Sequence, residues 1–240
     1  MSEKRQRIEI MDALRGLSVV LMVIHHLLYN LVYFLGAPVW LFTNPVFDVL
    51  RYIFAGAFII LSGVSSRFSR GNIKRGAKAL LIAGAITLVT YLLNMPIWFG
   101  VLHLLGFSMV FFGVTHKLWD LIPKTPALIF FLLCITAGAL ATTYIAVMPE
   151  QEYARVAVWL LGWRQPGLRS FDYFPLLPWL FVFLLGTWAG YYIASGRLPQ
   201  WFYEARFPLF PKIGRYALLI YVLHQPILYS AVRVIALLIQ

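Results

Sequence analysis

The sequence is poor in charged residues and contains only one cysteine. Asp, Glu, Lys and Arg make up 12% of its 240 residues, whereas they make up about 25% of a soluble domain. Hydrophobic residues reach 61% and the mean hydropathy is +0.80. These values exclude an ordinary soluble domain and predict an integral membrane protein. The single cysteine, Cys134, excludes an intrachain disulfide.

The sequence contains several long hydrophobic runs. About 20 apolar residues span the hydrocarbon core of a bilayer, and the first run already reaches that length. That run is too polar and too long for a cleaved signal peptide, so we interpret it as a retained anchor. The pattern predicts an all-α bundle of about seven transmembrane helices in a single domain, residues 1–240. The seven segments are 11–34, 46–66, 77–95, 96–115, 126–148, 174–195 and 214–239.

Basic residues are distributed unevenly between the connections. Fourteen lie in the N-terminal tail and in the second-to-third, fourth-to-fifth and sixth-to-seventh connections, against Arg155, Arg164 and Arg169 on the other side. The positive-inside rule therefore places the N-terminus in the cytoplasm and the C-terminus outside, as in a bacterial inner-membrane protein. A basic inner surface suits the head groups of the lipid bilayer or a polyphosphate ligand. We find no nucleic-acid motif and expect no nucleic-acid partner.

The first segment carries polar residues that share one face. Arg15 and His26 are eleven residues apart, which at about 100° per residue returns to nearly the same direction. Asp12 and Asn30 fall close to that line, whereas His25 points elsewhere. Polar residues inside a membrane segment are functional candidates by default.

The second segment repeats this pattern in the opposite direction. Asp48 and Arg51 lie three apart at its outer start, while Ser65 and Ser66 lie near its cytoplasmic end. A local ion pair at a helix start is an alternative interpretation of Asp48 and Arg51.

Later segments add further candidates. His103 lies in the fourth segment, and His224 with Gln225 lies in the seventh; each histidine is either a packed hydrogen-bonding residue or a catalytic group. Asp172 is expected to cap the sixth helix or to bind a substrate amine or hydroxyl. The outer connection 149–173 is expected to form an interfacial lid or to anchor at the interface.

Two glycines of the sixth segment lie four residues apart. Gly186 and Gly190 form a small-xxx-small face that predicts close helix packing. No cluster of His, Cys and carboxylates has local ligand spacing, so we expect no metal.

Five blocks of the sequence carry a family resemblance. In their order they resemble the bacterial relatives of the heparan-alpha-glucosaminide N-acetyltransferase family, within the transmembrane acyltransferase superfamily. They cover nearly the whole chain apart from residues 116 to 170. The blocks are RIEIMDALRGLSVVLMVIHH, FIILSGVSSRFSRGNIKRGAKALLI, FGVLHLLGFSMV, DYFPLLPWLFVFLLG and GRYALLIYVLHQPIL.

The resemblance implies an acyltransferase that uses acetyl-CoA as the acyl donor. The family transfers an acyl group, usually acetyl, across the membrane to an amine or hydroxyl of a sugar or glycoconjugate on the far side. Lysosomal members place an active-site histidine in the outer connection after their first catalytic-domain helix. Residues 35 to 45 contain no histidine, so the chain departs from that pattern. Arg15 and His26, with ten residues between them, resemble the arginine and histidine of the broader superfamily, and we infer the catalytic role of His26 from that resemblance.

Together, the polar face and the resemblance suggest specific roles. His26 is expected to act as general base or acyl carrier, with Asp48 orienting it or holding the acceptor, and His103 or His224 as oxyanion donor or orienter. The residues expected to hold the coenzyme A are Arg15, Ser65, Ser66, Arg67, Lys74 and Arg75. Those expected to contact the acceptor are Asp12, His25, Asn30, Arg51, Asp172 and Gln225.

Two other functions fit the same residues. A transporter or lipid-linked flippase would use the polar face as a permeation path, without consuming acyl-CoA. A noncatalytic membrane subunit would use its basic inner face to recruit a partner. The sequence leaves the acceptor, the acyl chain and the oligomeric state open, a homo-oligomer included.

Overall fold

A computed structural model describes residues 8–146, 158–162, 170 and 172–239. Over these ranges the chain is helical and contains no strand. The basic tail before residue 8, most of the connection expected to form a lid, and Arg155, Arg164 and Arg169 lie outside the described residues.

Nine α-helices and two short 3₁₀ turns make up the described structure. Seven of the helices, all except α7 and α8, are long and apolar enough to cross a membrane, which confirms the predicted number of spans. The helices are α1 Glu9–Leu35, α2 Pro45–Phe68, α3 Asn72–Leu92, α4 Val101–Leu121, α5 Lys124–Ala146, α6 Leu176–Ala194, α7 Gln200–Glu204, α8 Phe210–Arg215 and α9 Ala217–Ile239; the 3₁₀ turns are Val39–Leu41 and Val158–Leu160.

The largest difference from prediction concerns α4. The sequence places this segment at 96–115, whereas the helix runs from Val101 to Leu121. The residues before it form an irregular connection in which Asn94 and Phe99 have φ of 57° and 51°. Hydropathy identifies the stretch that suits the bilayer but does not locate the ends of a helix, so the predicted start was wrong by five residues and the predicted end by six.

The chain divides into two compact units. The first is drawn from Met1–Phe58 and Leu198–Gln240, and the second from Ile59–Arg197. In the first, α1 packs against both α8 and α9. In the second, α3 packs against α4, and α5 against α6.

In the first unit, α1 and α8 approach to backbone contact. A Cβ added at Gly16 would lie 2.1 Å from the Phe210 carbonyl oxygen, and one at Gly214 would lie 1.9 Å from the Asp12 carbonyl oxygen. Only glycine fits at either position. The contact fixes the start of α1, where Asp12 and Arg15 lie.

We expect Gly214→Ala to destabilise the protein by about 1–3 kcal/mol, because the methyl group must push two backbones apart. Thermal unfolding in detergent measures the effect. Gly84→Ala is the matched control, since a Cβ at Gly84 meets no atom within 4 Å and alanine favours a helix. An equal melting temperature for the two variants would contradict the expectation.

In the second unit, α2 and α6 show the same kind of contact. A Cβ at Gly63 would lie 2.1 Å from the Phe183 carbonyl oxygen, and one at Gly186 would lie 2.2 Å from the Ile60 carbonyl oxygen. One turn along α6, a Cβ at Gly190 would approach Val64. The predicted packing face of α6 is therefore confirmed.

Candidate active site

A histidine pair joins α1 and α9 in the first unit. His26 Nδ1 lies 2.8 Å from His224 Nε2, a hydrogen-bonding distance. The two ring centroids are 4.9 Å apart. His224 is buried and His26 is half-buried, so the pair lies inside the packing of these helices.

The hydrogen bonds assign the tautomer of each ring in its neutral form. His224 Nδ1 lies 2.6 Å from the Tyr221 carbonyl oxygen, and since a carbonyl only accepts, Nδ1 carries the proton. His224 Nε2 then carries a lone pair and accepts from His26 Nδ1–H. His26 Nε2 is left with a lone pair and is the basic atom of the pair.

A proline lies two residues beyond His224, inside α9. Pro226 has no N–H group, so the Val222 carbonyl lacks its usual helical donor. The turn that contains His224 therefore has fewer backbone hydrogen bonds than the rest of the helix.

One helical turn from His26, an amide pair repeats the contact between α1 and α9. Gln225 Nε2 donates to Asn30 Oδ1 at 3.3 Å, and Asn30 is fully buried. Asn30 Nδ2 and Gln225 Oε1 are buried without a hydrogen-bond partner among the described residues. Buried polar groups are rarely left in this state, which makes this amide pair a candidate binding site.

At the start of α1, Arg15 is held by a carboxylate. Arg15 Nη1 donates to Asp12 Oδ1 at 2.8 Å, and Asp12 is buried. At about 1.5 Å per residue, this ion pair lies roughly 16 Å from His26 along the helix axis. Two of the four residues of the predicted polar face, Asp12 and Arg15, thus bind each other.

His25 lies on a different side of α1 from His26. Its ring packs against Phe42, with centroids 4.9 Å apart. The predicted divergence of the two adjacent histidines is confirmed.

Asp48 and Arg51 form an ion pair at the start of α2. The carboxylate and guanidinium are 3.3 Å apart, and the side chains are 56% and 42% exposed. This is the local pair that the sequence allowed as an alternative. The residue that is hydrogen-bonded to the His26 ring is His224, whereas the sequence had suggested Asp48.

His103 lies in the second unit with a different partner. Its Nε2 is 3.2 Å from Thr87 Oγ1, and this hydroxyl donates to the Ile97 carbonyl oxygen at 2.7 Å. The hydroxyl therefore accepts from His103 Nε2–H. Phe99 stacks on the imidazole, with centroids 5.9 Å apart.

Asp172 caps α4. The Val101 N–H donates to Asp172 Oδ2 at 3.0 Å, which satisfies a backbone donor at the start of that helix. The prediction that Asp172 caps the sixth helix was wrong: α6 has Pro175 at its N-cap and no side-chain capping bond. The error arises because the cap crosses 71 residues of sequence instead of acting locally.

The residues expected to hold the donor differ in their surroundings. Ser65 Oγ donates to the Leu61 carbonyl oxygen at 2.8 Å, and Ser66 is buried. Arg67 forms an ion pair with Asp120. Lys74 and Arg75 are exposed on the first turn of α3.

Sequence reasoning missed Asp120 and Thr87. Arg67 and Asp120 are far apart in the sequence, so no local pattern predicts their ion pair. Asp120 and Lys124, however, are an i,i+4 pair with Nζ and Oδ1 3.8 Å apart, a spacing that points to an interaction. Among the residues that the structure covers, no group of three or more His, Cys, Asp or Glu side chains could hold a metal ion.

Seven membrane-type helices and a histidine pair between α1 and α9 define a polytopic membrane protein with a candidate acid–base centre. The chain belongs to the heparan-alpha-glucosaminide N-acetyltransferase family, whose catalytic-domain model matches residues 7–226. The match includes both histidines of the pair and confirms the resemblance of the five blocks. The chain is thus a member of a membrane acetyltransferase family. No curated protein and no solved structure matches it significantly.

Proposed function

We propose that this protein is an acyltransferase that moves an acetyl group from cytoplasmic acetyl-CoA to an amine or hydroxyl of a sugar or glycoconjugate on the extracytoplasmic side. The observation that carries the proposal is the hydrogen bond between His26 and His224 in a chain of this family. It leaves a basic nitrogen inside a membrane helix, where an ionisable group is costly and is retained for function.

His26 Nε2 acts as the general base. It takes a proton from the acceptor amine or hydroxyl as the acceptor attacks the thioester carbonyl carbon. The carbon–sulfur bond then breaks, and the proton moves from His26 Nε2 to the departing sulfur. The products are the acetylated acceptor and free thiol. Histidine suits both steps because a neutral imidazole accepts a proton and the protonated ring returns it.

His224 orients His26. Its own Nδ1–H is fixed by the Tyr221 carbonyl, so Nε2 is held as an acceptor for His26 Nδ1–H. The same arrangement, a base oriented by a third group, recurs in nucleophilic and acid–base centres.

Asn30 supplies a donor for the developing oxyanion. It lies four residues after His26, so the two side chains share one face of α1. Its Nδ2 is buried without a partner among the described residues. A donor held in a buried site stabilises a tetrahedral intermediate more strongly than water does.

The positive charge on the inner side favours binding of the acyl donor, acetyl-CoA. Lys74 and Arg75 are exposed and belong to the connection that carries five of the basic residues. Their charge raises the local concentration of a polyphosphate such as coenzyme A.

A sidedness assay tests the proposal against the transporter alternative. In sealed proteoliposomes, acetyl-CoA on the face bearing the N-terminus is expected to lose its acetyl group, and labelled product is expected only on the opposite face with a glucosamine acceptor. Adding acetyl-CoA to the other face is the control and is expected to give no product. Movement of acceptor without release of coenzyme A would overturn the acyltransferase.

A further inference from the structure

The second unit contains a pocket that the histidine site does not use. It lies where α4 ends and α5 begins, against α2 and α6. Four membrane helices precede α5, so the crossing count places this pocket on the same side of the bilayer as the N-terminus. The lining residues that matter here are Arg67, Trp119, Asp120, Lys124, Trp188 and Tyr191.

Two cations in this pocket share a single carboxylate. Arg67 forms an ion pair with Asp120, and Lys124 Nζ lies 3.8 Å from the same carboxylate. The side chains of Arg67 and Lys124 are 17% and 24% exposed, whereas Asp120 is 43% exposed. The two less exposed charges are therefore positive, and the carboxylate that pairs with them lies nearer to solvent.

Aromatic rings hold both cations in place. Lys124 Nζ lies 4.8 Å from the centre of the Tyr191 ring, and the Arg67 guanidinium lies 5.6 Å from the same centre. Trp188 Nε1 donates to the Lys124 carbonyl oxygen at 2.9 Å. Cations against aromatic faces lose hydrating water, which strengthens their attraction for an anion.

The start of α5 adds a third electropositive group. Its first i→i−4 bond runs from the Ala127 N–H to the Pro123 carbonyl oxygen, so the amide of Lys124 precedes the helical ladder. Helix starts carry partial positive charge and bind anions. A phosphoryl group matches this combination of arginine, lysine and helix start better than a carboxylate does, because it offers more acceptor oxygens.

We infer that this pocket binds a phosphoryl group at the inner face of the membrane. Two sources share this chemistry: the head group of an anionic phospholipid and the nucleotide portion of a soluble cofactor. Tryptophan and tyrosine at a membrane boundary suit either ligand. Their rings anchor at the lipid interface, and they also stack on planar rings such as the base of a nucleotide. The nucleotide source rests on the proposed function, because Arg67 is also among the residues expected to hold coenzyme A, whereas the phospholipid source does not.

Binding measurements on the full chain in nanodiscs test the inference. One arm measures the Kd of adenosine 3′,5′-bisphosphate in phosphatidylcholine discs. The other measures retention of phosphatidylglycerol by native mass spectrometry. We expect at least one probe to bind, and Lys124→Gln to weaken that binding roughly tenfold, since a charge-assisted contact is lost. Lys124→Arg is expected to restore it.

Lys117→Gln is the matched control, because Lys117 is exposed near the same end of α4. It is expected to leave both binding constants within about twofold. Nucleotide binding alone would identify a soluble ligand, and phosphatidylglycerol retention alone would identify a lipid. Failure of both probes to bind the wild type, or equal losses in Lys124→Gln and Lys117→Gln, would overturn the inference. Equal melting temperatures of the variants exclude unfolding as the cause.

Discussion

Replacing His26 with alanine is expected to lower acetyl-CoA turnover by about 10²–10⁴-fold, the range that general acid–base catalysis contributes. In the proposed mechanism His26 Nε2 removes the acceptor proton, and alanine leaves nothing at that position to take it. Release of free thiol from acetyl-CoA, measured with purified protein and a glucosamine acceptor, gives the rate directly.

The matched control is His116→Ala. His116 is exposed near the end of α4, with Nδ1 3.1 Å from the Gly113 carbonyl oxygen. Its loss is expected to change turnover by less than about threefold. Full activity of His26→Ala, with the protein folded, would remove this residue from the mechanism.

Replacing His224 with alanine is expected to lower turnover by roughly 10²-fold with little change in the KM for acetyl-CoA. Without His224 Nε2, the Nδ1–H of His26 loses its acceptor, and the tautomer that leaves Nε2 basic is no longer favoured. An effect confined to kcat identifies loss of a transition-state interaction.

Two further variants separate orientation from packing. Tyr221 supplies a backbone carbonyl to His224, so Tyr221→Phe keeps this hydrogen bond and is expected to retain activity within about threefold. In the double variant His26→Ala, His224→Ala, turnover is expected to match that of His26→Ala, since residues that act as one unit are not additive. Multiplication of the two separate losses would show that His224 acts independently of His26.

The sequence predicted the helices and the polar face of α1 because both follow from local periodicity. An apolar run of bilayer length identifies a spanning helix, and a spacing of eleven residues places Arg15 and His26 in line. Separation of His25 from His26 follows from the same geometry. These features depend on neighbours along one helix.

The partners of these residues were beyond the reach of local periodicity. His26 and His224 are 198 residues apart, and their contact depends on the rotation of α9 against α1. The cap that Asp172 provides for α4 and the ion pair between Arg67 and Asp120 are also long-range. Hydropathy identifies which residues enter the membrane but carries no information on which helix faces share an interface.

The hydrogen bonds that begin at His26 end on the Tyr221 carbonyl, a group that cannot take up a proton. In the proposed mechanism, a proton gained by the histidine pair has no exit along that route, so it returns to the sulfur that leaves within the same turnover. The acetylation cycle then moves no net charge through the pair. We expect the chemical step to proceed equally well in energised and de-energised membranes, driven by the thioester alone and independent of the proton-motive force.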